Sequence, residues 1–248
     1  MATKMEFHVD DNGIAYLKMN DIEGKNIFCD SFIDDLIQTI DKIEEMKPKV
    51  MILSGLDTVF SGGADQKNLL DLCDGKVHVK DLLISEKLIY TSFPVIAAME
   101  GHAVGGGFVM ALCSDIVIAA RESRYGVVFM SLGFTPGMGT TTLLQELVGP
   151  FIANEMMFTG KTYKGSQLAK KSTNINYIVP KSDVMTKAED IAMQISERNV
   201  KSINLLKYAL SAKKKKLLID ARVQEDFMHR LSFAFPETKK TIDNFYVR

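Results

Sequence analysis

The sequence predicts an α/β fold in which a parallel sheet with crossover helices precedes a helical C-terminal region. Apolar segments of strand length alternate with segments of helical period up to about residue 120, and this alternation is typical of a parallel sheet. From about residue 141 the pattern becomes mostly helical. The 248 residues suffice for one large domain, or for a domain with a small appendage.

Each predicted element of the first half has a local signal. Residues 5–19 predict two strands around a turn of Asp, Asn and Gly residues. Residues 30–46 place apolar side chains on one face of a helix, with Asp30 or Ser31 as its N-cap. Residues 60–65 predict a glycine-rich turn. The other predicted elements are strands at 49–54, 94–98 and 115–120, and helices at 78–92 and 105–112.

The second half predicts five helices. They lie at 141–159, 163–170, 183–197, 199–212 and 214–234. We therefore expect a core over residues 1–195 and a helical region over residues 196–248, although no linker or repeat marks a boundary.

Composition and charge exclude several classes of function. The net charge is −1, so no overall field would attract nucleic acid. No apolar run is long enough to span a bilayer, and we expect no membrane partner. Cys29, Cys73 and Cys113 have neither metal-ligand nor disulfide spacing, and such a sparse, odd count predicts a cytoplasmic protein.

Two glycine-rich segments follow predicted strands. One is FSGGAD at 60–65, and the other is GHAVGGG at 101–107, which opens a predicted helix. Glycine lets a ligand approach backbone N–H groups closely, so two such turns can direct two N–H groups at one oxygen. Taken alone, a segment of this kind more often reflects plain packing or a generic phosphate site than an oxyanion hole.

The motifs together resemble the crotonase (enoyl-CoA hydratase/isomerase) superfamily. FSGGAD, then AAMEGHAVGGGFVMALCSDIVIAA, then LGFTPGMG at 132–139 and NEMMFTG at 154–160 occur in the order and spacing of that family. The resemblance covers roughly residues 5 to 235. It implies a ββα spiral core with a helical C-terminal trimerisation region. It also implies an oxyanion hole, formed by the N–H groups of Ala64 and Gly106, that holds a thioester oxygen as it becomes an enolate.

The sequence departs from the hydratase pattern of that family at two positions. By the resemblance, hydratases hold a water between two glutamates, and the aligned positions here are Val109 and Phe129. Neither side chain can exchange a proton, so we expect no efficient hydration. The loss of both acids fits either an inactive scaffold or a reaction that needs a drier pocket, such as decarboxylation.

Two side chains are candidates for the chemistry. Lys80 lies in the predicted helix that, in the family, lines the acyl pocket, and His229 lies among apolar residues of the last predicted helix. A solvated surface lysine and a packed core histidine are the structural alternatives. His102 lies in the second glycine segment, where we expect a structural role.

These features together resemble the polyketide β-branching decarboxylases, a subgroup of the superfamily. The resemblance implies that Lys80 and His229 are the catalytic pair and that the substrate is a 3-methylglutaconyl thioester. That thioester would be carried on the phosphopantetheine of an acyl carrier protein. The expected partners are that carrier protein and two further copies of the chain, and no metal or redox cofactor is implied.

The run of four lysines at 213–216 predicts either a docking surface for an acidic carrier protein or a solvated helix end. Two other functions stay open on the sequence: an enoyl-CoA isomerase or hydratase that uses free CoA, and a non-catalytic module that binds a carrier protein.

Overall fold

A central sheet of six strands forms the frame of the protein. The computed structural model describes residues 4–76 and 82–246. The strand order is β1-β2-β4-β7-β9-β12, and only the β1–β2 pair at the edge is antiparallel. The strands are β1 Met5–Val9, β2 Ile14–Met19, β4 Val50–Ser54, β7 Val95–Met99, β9 Ile116–Ala120 and β12 Tyr177–Val179. The predicted parallel sheet is thereby confirmed.

Short strands outside this sheet carry the glycine-rich segments. They form a four-stranded sheet in the order β11-β10-β8-β5 and a parallel pair of β3 with β6. Their bounds are β3 Ile27–Phe28, β5 Val59–Ser61, β6 Gly63–Ala64, β8 His102–Val104, β10 Arg124–Gly126 and β11 Thr162–Lys164. Residues 60–65, expected as a turn, therefore contribute to two strands instead.

Helices cover both faces of the central sheet, which explains why its strands are nearly uniformly apolar. On β4, Met51 and Leu53 belong to the large core that includes the helix Asp30–Glu45. Val50 and Ile52, on the opposite face, pack with the helix Val184–Ser196. The helices are α1 Asp30–Glu45, α2 Gln66–Cys73, α3 Leu82–Ile89, α4 Gly106–Leu112, α5 Thr140–Val148, α6 Pro150–Thr159, α7 Gly165–Leu168, α8 Val184–Ser196, α9 Val200–Phe233 and α10 Pro236–Tyr246. Within the described ranges, no helix is long and apolar enough to cross a membrane.

Three helix boundaries differ from the prediction for local reasons. The N-cap of α1 is Cys29 rather than Asp30 or Ser31, and its side chain makes no capping hydrogen bond. The helix predicted over 141–159 is broken at Gly149, whose φ of 82° and ψ of 153° end α5, and Pro150 starts α6. The segment predicted as a helix at 163–170 is a strand followed by the short α7.

The C-terminal region is organised differently from the prediction. The two helices expected at 199–212 and 214–234 are one helix, α9, of 34 residues. An additional helix, α10, follows after a turn at residues 234–235, with Pro236 at its start. The lysine run therefore lies in the middle of a helix and not at a solvated helix end.

Lysines of α9 attach this helix to the core. Lys207 is buried, and its Nζ lies 2.7 Å from Asp115 Oδ2. Lys214 Nζ donates to the carbonyl oxygens of Leu112, at 3.1 Å, and Ser114, so it caps the C-terminal end of α4. Burial lowers the pKa of Lys214 from its ordinary value. One lysine of the predicted docking run is thus engaged inside the protein.

Replacement of Lys207 by alanine should lower the free energy of unfolding by about 2 kcal/mol, because it leaves a half-buried Asp115 without its cation. The matched control is Lys213→Ala on the same helix, which removes an exposed contact with Glu146 and should cost less than about 1 kcal/mol. Urea unfolding of both variants measures the difference. Equal losses would show that the Lys207–Asp115 pair contributes no more than a surface contact.

Candidate active site

The strand that carries Ala64 lies directly against the second glycine segment. Gly63 has a φ of +81°, a conformation that favours glycine. A Cβ added to Gly63 would lie 2.7 Å from the carbonyl oxygen of Val104 and 3.3 Å from the N atom of Gly106. The absence of a side chain at Gly63 therefore permits the approach of the two predicted oxyanion segments.

The second segment turns sharply into α4. Gly105 has φ 58° and ψ −130°, which is accessible to glycine alone. Gly106 is the first residue of α4, so its N–H group has no acceptor within the helix. A Cβ on Gly106 would lie 2.8 Å from both Met138 Sδ and the Phe28 ring. The structure thus brings Ala64 and Gly106, predicted from separate motifs, into one region.

Buried polar groups that the sequence did not single out hold the Ala64 turn in place. Ser61 Oγ donates to the carbonyl oxygen of Asn26 at 2.7 Å and accepts the N–H of Gly63 at 3.2 Å. The amide of Asn26 donates to the carbonyl oxygens of Met19 and Phe60 at 3.1 and 2.9 Å. These bonds restrict the backbone on either side of the glycine pair.

His229 lies on α9 with its imidazole in an aromatic environment. Its Nε2 is 2.8 Å from the carbonyl oxygen of Thr135, and the rings of Phe134 and Phe233 meet it edge to face. Because a carbonyl only accepts, Nε2 carries the hydrogen and the neutral ring has its lone pair on Nδ1. Burial lowers the pKa of His229 below 6.5, and the hydrogen bond to Thr135 partly opposes this shift.

A glycine makes room for this imidazole. A Cβ on Gly137 would lie 2.3 Å from His229 Cε1 and 2.8 Å from its Nε2. This contact excludes any larger residue at position 137. The LGFTPGMG segment therefore supplies both the acceptor and the space for His229.

Side chains from the C-terminal helices hold the turn at residues 133–141. Glu225 is buried one helical turn before His229, and its carboxylate accepts the N–H groups of Gly139 and Thr141 at 2.7 and 2.8 Å. Ser232 Oγ accepts the N–H of Thr135 at 3.2 Å. Burial raises the pKa of Glu225, and its hydrogen bonds oppose that effect. The sequence analysis missed this residue, although an acid four residues before His229 was the available signal.

A cavity of about 910 Å³ opens beside these groups. Met138 links it to the glycine turn, because the same residue lines the cavity and contacts Gly106. Lys80, the other predicted catalytic residue, lies outside the described residues. The described lining consists of Leu72, Cys73, Gly75, Gly137, Met138, Arg222, Val223, Glu225, Asp226, His229, Arg230, Phe233 and Ala234.

The two positions that hold acids in hydratases by resemblance are apolar and buried. Val109 is 0% exposed and Phe129 is 6% exposed, and both belong to the main hydrophobic core. The Phe129 ring meets Phe134 edge to face at 5.8 Å. A carboxylate at either position would be desolvated. His102, by contrast, is exposed and accepts the N–H of Arg124 on Nδ1 at 2.9 Å, in keeping with a structural role.

The fold and the paired glycine turns define an α/β protein of the crotonase type. The family model "Enoyl-CoA hydratase/isomerase" matches residues 10–248. The chain belongs to this family.

Several proteins similar to this chain are described as decarboxylases. The bacillaene synthase decarboxylase PksI of Bacillus subtilis (strain 168) is 36% identical over 237 residues, which span 95% of each protein. A solved structure from a dehydratase/decarboxylase enzyme couple involved in polyketide β-branching is 35% identical, with a TM-score of 0.94 over 99% of this chain and 100% of that one. The ECH2 decarboxylase domain of CurF from Lyngbya majuscula is 32% identical, with a TM-score of 0.93 over 98% and 99%.

We expect His229 to be neutral at pH 7 and to titrate below 6.5, since burial lowers its pKa. The unfolded chain then binds the proton more readily than the folded one, so stability falls as the pH decreases through 6.5. Nitrogen-15 NMR of the imidazole, assigned with His229→Gln, gives the pKa and the tautomer, and urea unfolding gives the stability. A His229 pKa above 6.5 would contradict the expectation, as would a hydrogen on Nδ1 rather than Nε2.

Proposed function

We propose that the protein is a crotonase-family decarboxylase that acts in polyketide β-branching. Its substrate would be a 3-methylglutaconyl thioester on an acyl carrier protein. The observation that carries the proposal is the close approach of the two glycine segments at Ala64 and Gly106, combined with buried apolar residues at Val109 and Phe129. The decarboxylases PksI and CurF ECH2, to which the chain is similar over nearly its whole length, support the same reaction class.

In the proposed reaction the thioester oxygen accepts hydrogen bonds from the N–H groups of Ala64 and Gly106. The bond to the terminal carboxylate breaks and CO2 leaves. Its electron pair passes through the conjugated double bond onto the thioester oxygen, which gives a dienolate. Fixed backbone donors stabilise that charge as it develops. Loss of one donor typically reduces the stabilisation of the transition state by about 3 kcal/mol. A proton then adds to the γ-carbon or the α-carbon, which fixes the position of the double bond.

We assign two roles to Lys80 and His229: one side chain holds the carboxylate that leaves, and the other delivers the proton. Burial lowers the pKa of His229, so its imidazole carries little positive charge near neutrality. This favours Lys80 as the group that holds the carboxylate and His229 as the group that faces the reacting carbons. Nδ1 of the neutral ring takes up a proton from solvent, and the resulting imidazolium, whose pKa is lowered by burial, passes that proton to the reacting carbon and returns to the neutral form.

The aromatic rings beside His229 suit decarboxylation rather than hydration. Water is the reactant in hydration but a competitor in decarboxylation, because it solvates the carboxylate that must leave. Phe129, Phe134 and Phe233 form a continuous group of rings beside His229. Such a wall disfavours an ordered water at the position where hydratases require one.

We also propose that the protein assembles as a homotrimer. Large apolar side chains recur every fourth residue along α9 and remain exposed: Ile219 at 58%, Val223, which also borders the cavity, at 73% and Phe227 at 64%. Exposed apolar rows of this kind mark protein interfaces. The cytoplasmic location and the carrier-protein partner stay predictions. Within the lysine run, docking of the carrier protein would involve Lys213, Lys215 and Lys216, because Lys214 caps α4.

The wild-type protein should remove one CO2 from 3-methylglutaconyl-carrier protein, as followed by intact-protein mass spectrometry. Lys80→Ala and His229→Ala should each reduce the rate by about a hundredfold or more, because each removes a group that acts on the reacting atoms. Lys161→Ala and His8→Gln are matched controls, since Lys161 is exposed and His8 stacks on Tyr16 at the sheet edge. Both controls should retain wild-type rates.

Other outcomes of this assay assign other functions. A gain of one water on enoyl-CoA would indicate a hydratase, and a shifted double bond at unchanged mass would indicate an isomerase. Binding of the carrier protein without turnover of any thioester would indicate a non-catalytic scaffold. Wild-type rates in both Lys80→Ala and His229→Ala would remove these residues from the mechanism.

The proposed trimer should have a mass three times the 27.6 kDa of one chain. Phe227→Asp should convert it to smaller species, because it places a charge in the apolar row. Gln224→Asp, an exposed position on the same helix, is the control and should leave the mass unchanged. Sedimentation equilibrium measures both, and a monomeric wild-type protein would refute the assembly.

A further inference from the structure

Helix α10 brings the last described residue of the chain to the Ala64 turn. It packs on α2, where Lys239 Nζ lies 2.6 Å from Asp74 Oδ1 and Gln66 Nε2 donates to Asp243 Oδ1 at 3.5 Å. Ile242, on the inner face of α10, is fully buried. At its end, the hydroxyl of Tyr246 donates to the carbonyl oxygen of Ala64 at 2.9 Å.

This contact fixes one of the two peptide planes that meet at Ala64. The N–H of Ala64 belongs to the preceding plane, which is set by the pairing of β6 with β3 in the register Phe28–Ala64. The carbonyl belongs to the following plane, which leads into Asp65 at the N-cap of α2. Rigid planes turn only about the φ and ψ of the residue between them. Holding the carbonyl therefore limits how far the N–H can rotate.

We propose that Tyr246 is a positioning residue for the oxyanion hole, and that its hydroxyl keeps the N–H of Ala64 directed at the thioester oxygen. This rests on the proposed function of Ala64. Tyr246 acts through the backbone of Ala64 and needs no contact with the substrate. The C-terminal helix thereby supports an oxyanion hole whose two donors, Ala64 and Gly106, lie in the first half of the chain.

The hydroxyl remains a donor over the working range of pH. Burial, together with the negative charge of Asp65, raises the pKa of Tyr246 to about 12. The carbonyl of Ala64 therefore keeps this donor through neutral and mildly alkaline pH. The ring of Tyr246 is still 37% exposed, so its replacement by phenylalanine removes the hydroxyl without opening a cavity.

Tyr246→Phe should reduce kcat for CO2 release by about tenfold and leave KM within about twofold, because misdirection of one donor weakens transition-state stabilisation more than binding. The melting temperature should not change, while the amide hydrogen of Ala64 should exchange faster with solvent, as measured by NMR. Two controls accompany it. Tyr208→Phe removes an exposed hydroxyl on α9, and Lys239→Ala loosens α10 without removing the hydroxyl of Tyr246.

Unchanged kcat and unchanged exchange at Ala64 in Tyr246→Phe would overturn the inference. A loss of kcat that Lys239→Ala reproduces would also overturn it, since the docking of the helix and not the hydroxyl would then be responsible. The exchange measurement needs no substrate. If the wild-type protein fails to release CO2, the proposed function is refuted. The exchange rate of the Ala64 amide still shows whether Tyr246 restrains that residue.

Discussion

The close approach of two backbone segments at Gly63 and Gly106 is the constraint on which the rest of the site depends. Neither position has room for a methyl group, because Val104, Phe28 and Met138 already occupy the space. The central sheet places these segments side by side, since each follows a parallel strand at the same edge. A buried network around Asn26 and Ser61 then fixes their conformation. The helical C-terminal region adds side chains to a frame that the sheet has already built.

The position of the candidate site could be predicted from the sequence because glycine indicates particular backbone conformations and contacts. A residue without a side chain is needed wherever φ is positive or two chains nearly touch, and the two glycine segments mark such places. The α/β class followed in the same way from apolar segments of strand length. The apolar character of Val109 and Phe129 was also visible in the residue types alone.

Other features depend on contacts between distant parts of the chain. Glu225 accepts a hydrogen bond from Gly139, which lies 86 positions earlier in the chain. Lys214 caps α4, which ends about a hundred positions before it. A lysine in a run of four looks solvated until the helix that it caps is known. The continuity of α9 and the existence of α10 were missed for a related reason. Packing of the C-terminal helices on the core overrides the weak local signals at residues 212–214 and 234–236.

The length of α9 has an evolutionary consequence. Lys214 holds this helix at the C-terminal end of α4, and His229, fifteen positions later, lies in the cavity beside the opposite end of the same short helix. One continuous helix therefore sets both the distance and the angle between these attachments. An insertion or deletion of a single residue between them would turn every later side chain by about 100° and carry the imidazole out of the cavity. Sequences that diverge from this one can exchange residues along that stretch, but they cannot change their number and keep the same site.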